Sequence, residues 1–434
     1  MNNSVYCALP WMQLMIAPSG DYKICCFSGD HASNTHGFCL DENNKPMNVM
    51  THSMQDALHS KTSASIRQAQ LENKRHAECS VCWNKDDDGA NSGATLAKSM
   101  RVMRTFHQYP KWDIETNSDI VTTSNLKIRS LDLRFTNTCN LKCIMCTPLY
   151  SNLWYEDYTK LYGNQFGDVN VRYTIIKDEH GKYKSNMPNW FDTDIWKERF
   201  DSVKQDLQHL YITGGEPFLV KGHLDTLDNL IECDLAKNIT IDYDTNLTVI
   251  NHKLLERFSK FKKIVISVSL DDIGDRYEYI RCPGKFDTVS ANLKFLIDNK
   301  PSNVVIKSVS SCLGVLNVYA PWRFAEFLES QNISSIPVSY RLLRYPAHFD
   351  IKYLPKESKD KVLKHYQIND FPGLKESLVI GHLTNNYNIP ENECVTKMNE
   401  HIAYLNKLDT LRGLDWRKTF PETRELLKPY DSTR

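Results

Sequence analysis

The chain has 434 residues, 41% apolar and 11% aromatic, with 53 basic against 53 acidic side chains. This supplies one large core or two modest ones, and a net charge of zero sets up no overall field for a polyanion, so bulk nucleic-acid binding is not expected. No apolar run approaches the roughly 20 residues of a membrane helix, and the opening MNNSVYCALPWMQLMIAPSG lacks a basic stretch and is broken by Pro10 and Gln13, so a cytoplasmic location without membrane insertion is expected.

Residues 1–105 read as a small cysteine-rich unit, with turn signals at Pro18-Ser19-Gly20 and a predicted helix from Met54 to Asn73 joining two cysteine pairs. Disulfides rarely persist in a reducing compartment, so the thirteen cysteines are read first as metal ligands wherever they cluster. Cys7, Cys25 and the pair Cys79-Ser-Val-Cys82 can close around a tetrahedral zinc or the four corners of a [4Fe–4S] cluster, and spacing alone does not choose between them. Cys26, Cys39, Cys233, Cys282, Cys312 and Cys394 lack ligand spacing and are read as small hydrophobes. Asn84–Gly89 resembles a calcium loop, but Thr95 stands where a bidentate Glu is needed, so a solvated loop is predicted.

From Leu131 onward, short apolar runs alternate with amphipathic segments, the pattern of repeated strand–helix units and a parallel sheet. Predicted strands are Leu131–Phe135, His209–Ile212, Ile239–Tyr243, Ile264–Leu270, Val304–Ser310 and Ile336–Leu342. Predicted helices are Gly222–Cys233, His252–Phe258, Thr288–Ile297 and Pro321–Leu328. Six strands are too few to close an eight-stranded barrel. An insertion over about 150–195 carries an aromatic helix (Trp154, Tyr155, Tyr158, Tyr162), of which Trp154, Tyr158 and Tyr162 are read as a core-facing stripe, and a hairpin Arg172–Lys184 turning at His180-Gly181. Beyond Tyr345 the chain is predicted to be mostly helical.

The strongest chemical signal is Cys139-Asn-Leu-Lys-Cys143-Ile-Met-Cys146, directly after the first strand. Three thiolates in one loop bind three corners of a [4Fe–4S] cube and leave the fourth iron open to a small-molecule chelator. A structural zinc would want a fourth Cys or His nearby. Gly214-Gly215-Glu216-Pro217 ends the second strand, and its backbone can approach a ligand where a Cβ would obstruct. Alone it would read as an ordinary turn. No phosphate-loop, dinucleotide-binding or His-Glu-x-x-His motif is present.

With Thr245-Asn246 after the third strand, Val268-Ser269-Leu270-Asp271 ending the fourth and Arg281-Cys-Pro-Gly beyond, this ordered set resembles the radical S-adenosylmethionine (radical SAM) superfamily over about half the chain. The resemblance implies an α/β fold, a (β/α)6 partial TIM barrel, in which Cys139, Cys143 and Cys146 hold the catalytic cluster. It implies that Gly214, Gly215, Glu216 and Pro217 bind the methionine amino group of the cofactor and that Met145, where the family usually has an aromatic residue, contacts adenine through its backbone. By the same resemblance Ser269 contacts the ribose, Arg281 the carboxylate, and Asn246 lines the same mouth; each of the three is equally well read as a helix cap or a partner of Asp271 or Asp272. The N-terminal cysteines are similar to the twitch and SPASM extensions, in which a Cys, a Gly-x4-Cys and a CxxC hold an auxiliary cluster; that spacing favours Cys25 over Cys26.

The expected architecture is therefore a twitch/SPASM-like unit at 1–105, a core at 125–345 and a helical C-terminal extension at 346–434. The expected activity is reductive cleavage of S-adenosylmethionine to a 5′-deoxyadenosyl radical that abstracts hydrogen, for oxidative modification of a peptide, protein or small metabolite. Flavodoxin or ferredoxin is the expected electron donor. The rival expectations are a zinc-stabilised nucleic-acid or protein adaptor and a non-radical methyltransferase.

Overall fold

The computed structural model describes residues 5–29, 36–92, 126–168, 171–368, 374, 378–384 and 389–431. Among the described residues, eleven strands are formed in chain order. β1 (Gln13–Ile16) and β2 (Tyr22–Lys23) come from the cysteine-rich segment, and β3 (Ser130–Leu133) precedes the three-cysteine loop. β4 (Gln165–Asp168), β5 (Val171–Lys177) and β6 (Tyr183–Ser185) lie in the insertion, and β7 (His209–Ile212), β8 (Thr240–Thr245), β9 (Lys263–Ser269), β10 (Val304–Leu313) and β11 (Val338–Leu342) complete the core.

The main sheet runs β11-β10-β9-β8-β7-β3-β1-β2, and β4-β5-β6 form a separate antiparallel sheet. β3 and β7 to β11 are the six strands read from the sequence, all parallel, with β11 left as an open edge. The sheet is wider than expected on the other side. β1 pairs in parallel with β3, from Gln13 opposite Ser130 to Ile16 opposite Leu133, and β2 adds an antiparallel edge. The N-terminal segment thus shares one hydrophobic core with the six-strand unit, and Trp11, Leu14 and Ile16 pack in the same cluster as Leu131 and Leu210. Its expected boundary near residue 105 lies outside the described residues.

Local sequence decided two differences. The single helix expected over Met54–Asn73 is two, Met54–Leu58 and Lys61–Leu71, because Ser60 caps the second by accepting from the Ser63 amide. The loop expected at Asn84–Gly89 is helical, within Ser80–Ser92, where Asp87 takes two hydrogen bonds from Arg75. In the insertion helix, Trp154–Tyr162, Trp154 is buried as a core residue but Tyr162 is exposed, so the expected stripe is only partly inward.

The two faces of the main sheet differ in chemistry. Leu131, Leu133, Leu210, Ile212, Ile241, Ile264, Ile266 and Val268 are buried on the face covered by helices such as Lys221–Glu232 and Phe286–Asn299. The alternate residues carry Asp132, Tyr211, Asp242, Asp244, Ser267 and Ser269, and after a bulge at Ile306/Ser308 the pattern resumes with Ser308, Ser310 and Cys312. Parallel strands buried on both faces would be apolar throughout; this alternation marks a face turned toward polar surroundings.

The C-terminal helices dock through buried charge. Arg323 pairs with Asp272 at 2.6 Å, with side chains 7% and 0% exposed, and reaches Glu422 at 2.7 Å, which Arg276 also binds. Asp272→Ala strands Arg323 beside a single partner, so it should lower the urea-unfolding free energy of the apoprotein by about 3–5 kcal/mol. An unchanged denaturation midpoint would show that this network does not hold the C-terminal segment.

Candidate functional site

The three-cysteine loop leaves the carboxyl end of β3, and several of its polar backbone groups have partners from elsewhere in the chain. Lys142 N donates to Cys282 O at 2.7 Å and Ile144 N to Ile280 O at 2.9 Å. The Leu141 carbonyl takes Ser151 Oγ at 2.5 Å, the Cys143 carbonyl takes Trp154 Nε1 at 2.9 Å, and the Ile144 carbonyl takes Tyr404 Oη at 2.7 Å. The loop is shaped before any ligand arrives. Cys139, Cys143 and Cys146 lie close enough to act on one another electrostatically. Burial pushes all three thiols up, Cys139 to about 12, while Arg281 opposes the shift at each.

Gly214–Pro217 packs directly against the segment leading into Cys139. Gly215 N donates to Thr136 O at 3.0 Å and Glu216 N to Thr138 O at 2.8 Å, and a Cβ on residue 215 would stand 2.1 Å from the Thr138 carbonyl. Gly214 adopts φ +120°, where side chains are strained. The amides of Gly215 and Glu216 are thus occupied by the segment that leads into Cys139. Pro217 is buried and its carbonyl accepts from His223 Nδ1 at 2.9 Å.

Glu216 turns under the end of β8. Its carboxylate accepts from Thr245 Oγ1 at 2.6 Å, Asn246 N at 2.8 Å and Phe218 N at 3.3 Å. Burial nevertheless pushes its pKa up to about 7. Asn246, so positioned, directs Nδ2 at Asn140 Oδ1 (3.1 Å) and Cys139 Sγ (3.9 Å), and its Oδ1 accepts from Thr248. Arg281 is buried and paired with Asp271 at 2.8 Å, and Asp271 also accepts from Cys312 N at 2.7 Å. Ser269 lies on the polar face with its hydroxyl 3.4 Å from Ser310 Oγ, and Met145 is half-buried against the core. These residues gather at the carboxyl ends of the strands, where ligands of parallel sheets bind.

The N-terminal thiols form a second group. Cys7, Cys25, Cys79 and Cys82 line one cavity together with Leu9, Ile24 and Trp83. Ser28 holds Cys25 in place, accepting from its amide at 3.2 Å and donating to its carbonyl at 2.7 Å. Burial pushes the Cys25 thiol up to about 11 and that of Cys79 well above the ordinary range. Cys26 does not line this cavity; it lies within electrostatic reach of Arg134 and Tyr211 of the polar face. None of the cysteines is in a disulfide, and among the described residues no three His, Cys, Asp or Glu side chains converge on a single-ion site. One thiol for each iron is the chemistry of a four-iron cluster, which the three core thiols and the four N-terminal thiols fit as donor sets.

Sequence reasoning missed the polar face itself. Tyr211 Oη donates to Asp244 at 2.5 Å, Arg341 reaches the same carboxylate at 3.2 Å, and Arg134 lies 3.3 Å from Asp132. Asp132 is 1% exposed, and its Oδ2 has no hydrogen-bond partner. The floor below is closed by Ser130, which bonds Gln13 and His209 at 3.1 Å each. Strict alternation in LDLR and IDYDT within parallel strands was the available signal.

Comparison with known proteins bears on this site. The profile described as "Radical SAM superfamily" matches residues 133–317, and the SPASM profile, described as "Iron-sulfur cluster-binding domain", matches residues 7–83. Similar solved structures include anSMEcpe with bound AdoMet, 17% identical over 55% of this chain and 57% of that one, with a TM-score of 0.37. Another is Streptococcus suis SuiB bound to precursor peptide SuiA, 14% identical over 75% of this chain and 69% of that one, with a TM-score of 0.36. The chain thus spans under two thirds of anSMEcpe. No curated protein matches it. No helix among the described residues is long and apolar enough to cross a membrane.

Two outcomes follow from the packing. Gly215→Ala must displace the Thr138 backbone, so it should cost at least about 1–3 kcal/mol of stability and reduce the iron retained after reconstitution. Normal stability and iron content would remove the close approach as a constraint. Glu216 has a raised folded-state pKa, so its contribution is full below its ordinary 4.5 and is lost as pH rises to about 7. The unfolding free energy of wild type relative to Glu216→Gln should therefore fall between those pH values, and a constant difference would contradict the raised pKa.

Proposed function

From the chain's membership of the radical SAM superfamily, with an iron–sulfur cluster-binding domain at 7–83, we infer an enzyme that cleaves S-adenosylmethionine reductively and abstracts hydrogen from a peptide or protein side chain. The observation that carries this reading is the pre-shaped three-cysteine loop at the open end of a parallel sheet whose adjoining face is polar. Cys139, Cys143 and Cys146 hold the core cluster, and Cys7, Cys25, Cys79 and Cys82 the auxiliary one. When bound, the core cluster supplies the electron that splits the cofactor into methionine and a 5′-deoxyadenosyl radical, and the fully ligated N-terminal cluster supplies an electron-transfer site.

The residues around the loop do the positioning. Glu216 orients Asn246 toward Cys139, and the carbonyls at Gly214 and Gly215 are left to face the cofactor's amino group. Arg281, held by Asp271, offers positive charge to the carboxylate, and Ser269 offers a hydroxyl to the ribose. The substrate lies on the face of Asp132, Tyr211 and Asp244. Arg341 opens that face to solvent, its side chain 49% exposed, so a side chain carried on a larger molecule can enter. An oxidative outcome suits two electron-handling sites carried on one sheet. A flavodoxin or ferredoxin donor and a cytoplasmic, reducing location belong to the same proposal.

Anaerobically reconstituted protein should carry about eight iron and eight sulfide per chain, and the triple variant Cys139→Ala, Cys143→Ala, Cys146→Ala about half. With dithionite, wild type should convert S-adenosylmethionine to 5′-deoxyadenosine, and the triple variant should not. A folded Cys79→Ala, Cys82→Ala variant should retain this cleavage. Zinc without acid-labile sulfide would favour the adaptor reading, and S-adenosylhomocysteine as product would favour methyl transfer.

A further inference from the structure

The C-terminal helix Glu391–Arg412 lies against the three-cysteine loop, about 260 residues away along the chain, as the separation of Tyr404 from Ile144 shows. Its last residue, Arg412, is among the most buried charges of the molecule. Its side chain is 1% exposed, and Nε donates to Asp157 Oδ2 at 2.8 Å. Its guanidinium lies over the Trp154 ring, 4.7 Å from the centroid, and it is Trp154 that donates to the Cys143 carbonyl. The two terminal nitrogens of Arg412 are buried without a hydrogen-bond partner.

The carboxylate that Arg412 touches does not balance the cations in contact with it. Asp157 is shared with Lys142, itself in the cysteine loop, at 3.0 Å. Two cations on one carboxylate leave one positive charge beside the loop. The nearby Arg281–Asp271 pair is neutral, and Asp409, one turn back on the same helix, keeps its negative charge but directs it to Tyr279 Oη at 2.8 Å and Trp416 N at 2.8 Å and makes no hydrogen bond to Arg412. Burial of an uncompensated cation is costly and persists only where something offsets it. A cluster on three thiolates is anionic and gains further negative charge on reduction, and that is the charge this cation would offset.

We propose that Arg412 is a positioning residue of the core iron–sulfur site, its surplus positive charge raising the reduction potential of the cluster held by Cys139, Cys143 and Cys146. The inference rests on the cluster assignment made above, and its failure is separable from failure of that assignment. Tyr404, on the same helix, secures the loop through the Ile144 carbonyl and carries no charge, so it serves as the control for a purely mechanical role.

The test is an EPR-monitored redox titration of the reconstituted core cluster in a Cys79→Ala, Cys82→Ala background, with iron content and circular dichroism measured on every variant. Arg412→Gln leaves Asp157 paired with Lys142 and removes the surplus charge. Its ratio of reduced to oxidised cluster at the parent midpoint should fall on the order of tenfold, a downward shift of about 59 mV. Asp157→Asn breaks the same ion pair but adds net positive charge, so its midpoint should move up. Arg412→Lys should stay near the parent, and Tyr404→Phe should lower iron retention without moving the midpoint. Opposite shifts for Arg412→Gln and Asp157→Asn support the proposal; unchanged midpoints, or shifts of the same sign, overturn it. Should Arg412→Gln fail to fold, the upward shift of Asp157→Asn decides the matter alone. Loss of all core iron from the parent itself would count against the cluster assignment, not against Arg412.

Discussion

Much of the site depends on the close approach of one turn to one strand end. The carbonyl of Thr138 occupies the place where a side chain on residue 215 would begin, and the amides of Gly215 and Glu216 close onto Thr136 and Thr138. This contact joins β7 to the exit of β3, and the exit of β3 determines where Cys139 stands. It also carries Glu216 inward to the three donors at the end of β8, so that Asn246 is aimed at the same cysteine. A substitution that pushed the turn outward would therefore move a ligand loop and two strand ends together.

The second organising feature is the separation of the sheet's faces. Burying aliphatic residues against helices on one side contributes roughly 25 cal/mol for each Å² removed from water, and this leaves the other side free to carry groups that a closed core would not tolerate. The charged groups there are arranged in contact with one another, Arg341 and Tyr211 on Asp244 and Arg134 beside Asp132, which lowers the cost of their partial burial. A polar face between two groups of thiols can receive a polar substrate without first being rebuilt.

Bringing the two thiol groups to one sheet is the work of β1. Because it pairs in parallel and in register with β3, the chain following each strand leaves the same end of the sheet. The antiparallel β2 then turns the chain back along β1, and Cys26 comes within electrostatic reach of Arg134 beside β3. The C-terminal helix closes the opposite flank, exchanging hydrogen bonds and ion pairs with a loop from the middle of the chain. What reads as three successive segments is one core.

The sequence by itself determined whatever depends on near neighbours. The six parallel strands, the helices between them and the hairpin in the insertion follow from periodicity, which reports burial of a residue's own face within a few positions. The cysteine spacings were legible because loop ligands must be close in sequence to be close in space. Where prediction failed locally, at Ser60 and at Asn84–Gly89, a cap and an ion pair with Arg75 outweighed the weaker signals used. Tertiary structure alone decided that the N-terminal segment extends the core sheet, that Arg281 pairs with Asp271, and that Arg412 lies buried beside the cysteine loop; it bears out the spacing argument for Cys25 over Cys26. Most of these join residues distant in sequence, and the order of residues along a chain carries no record of which remote groups will share a low-dielectric interior; packing brings them together, and their charges then act over a few ångströms.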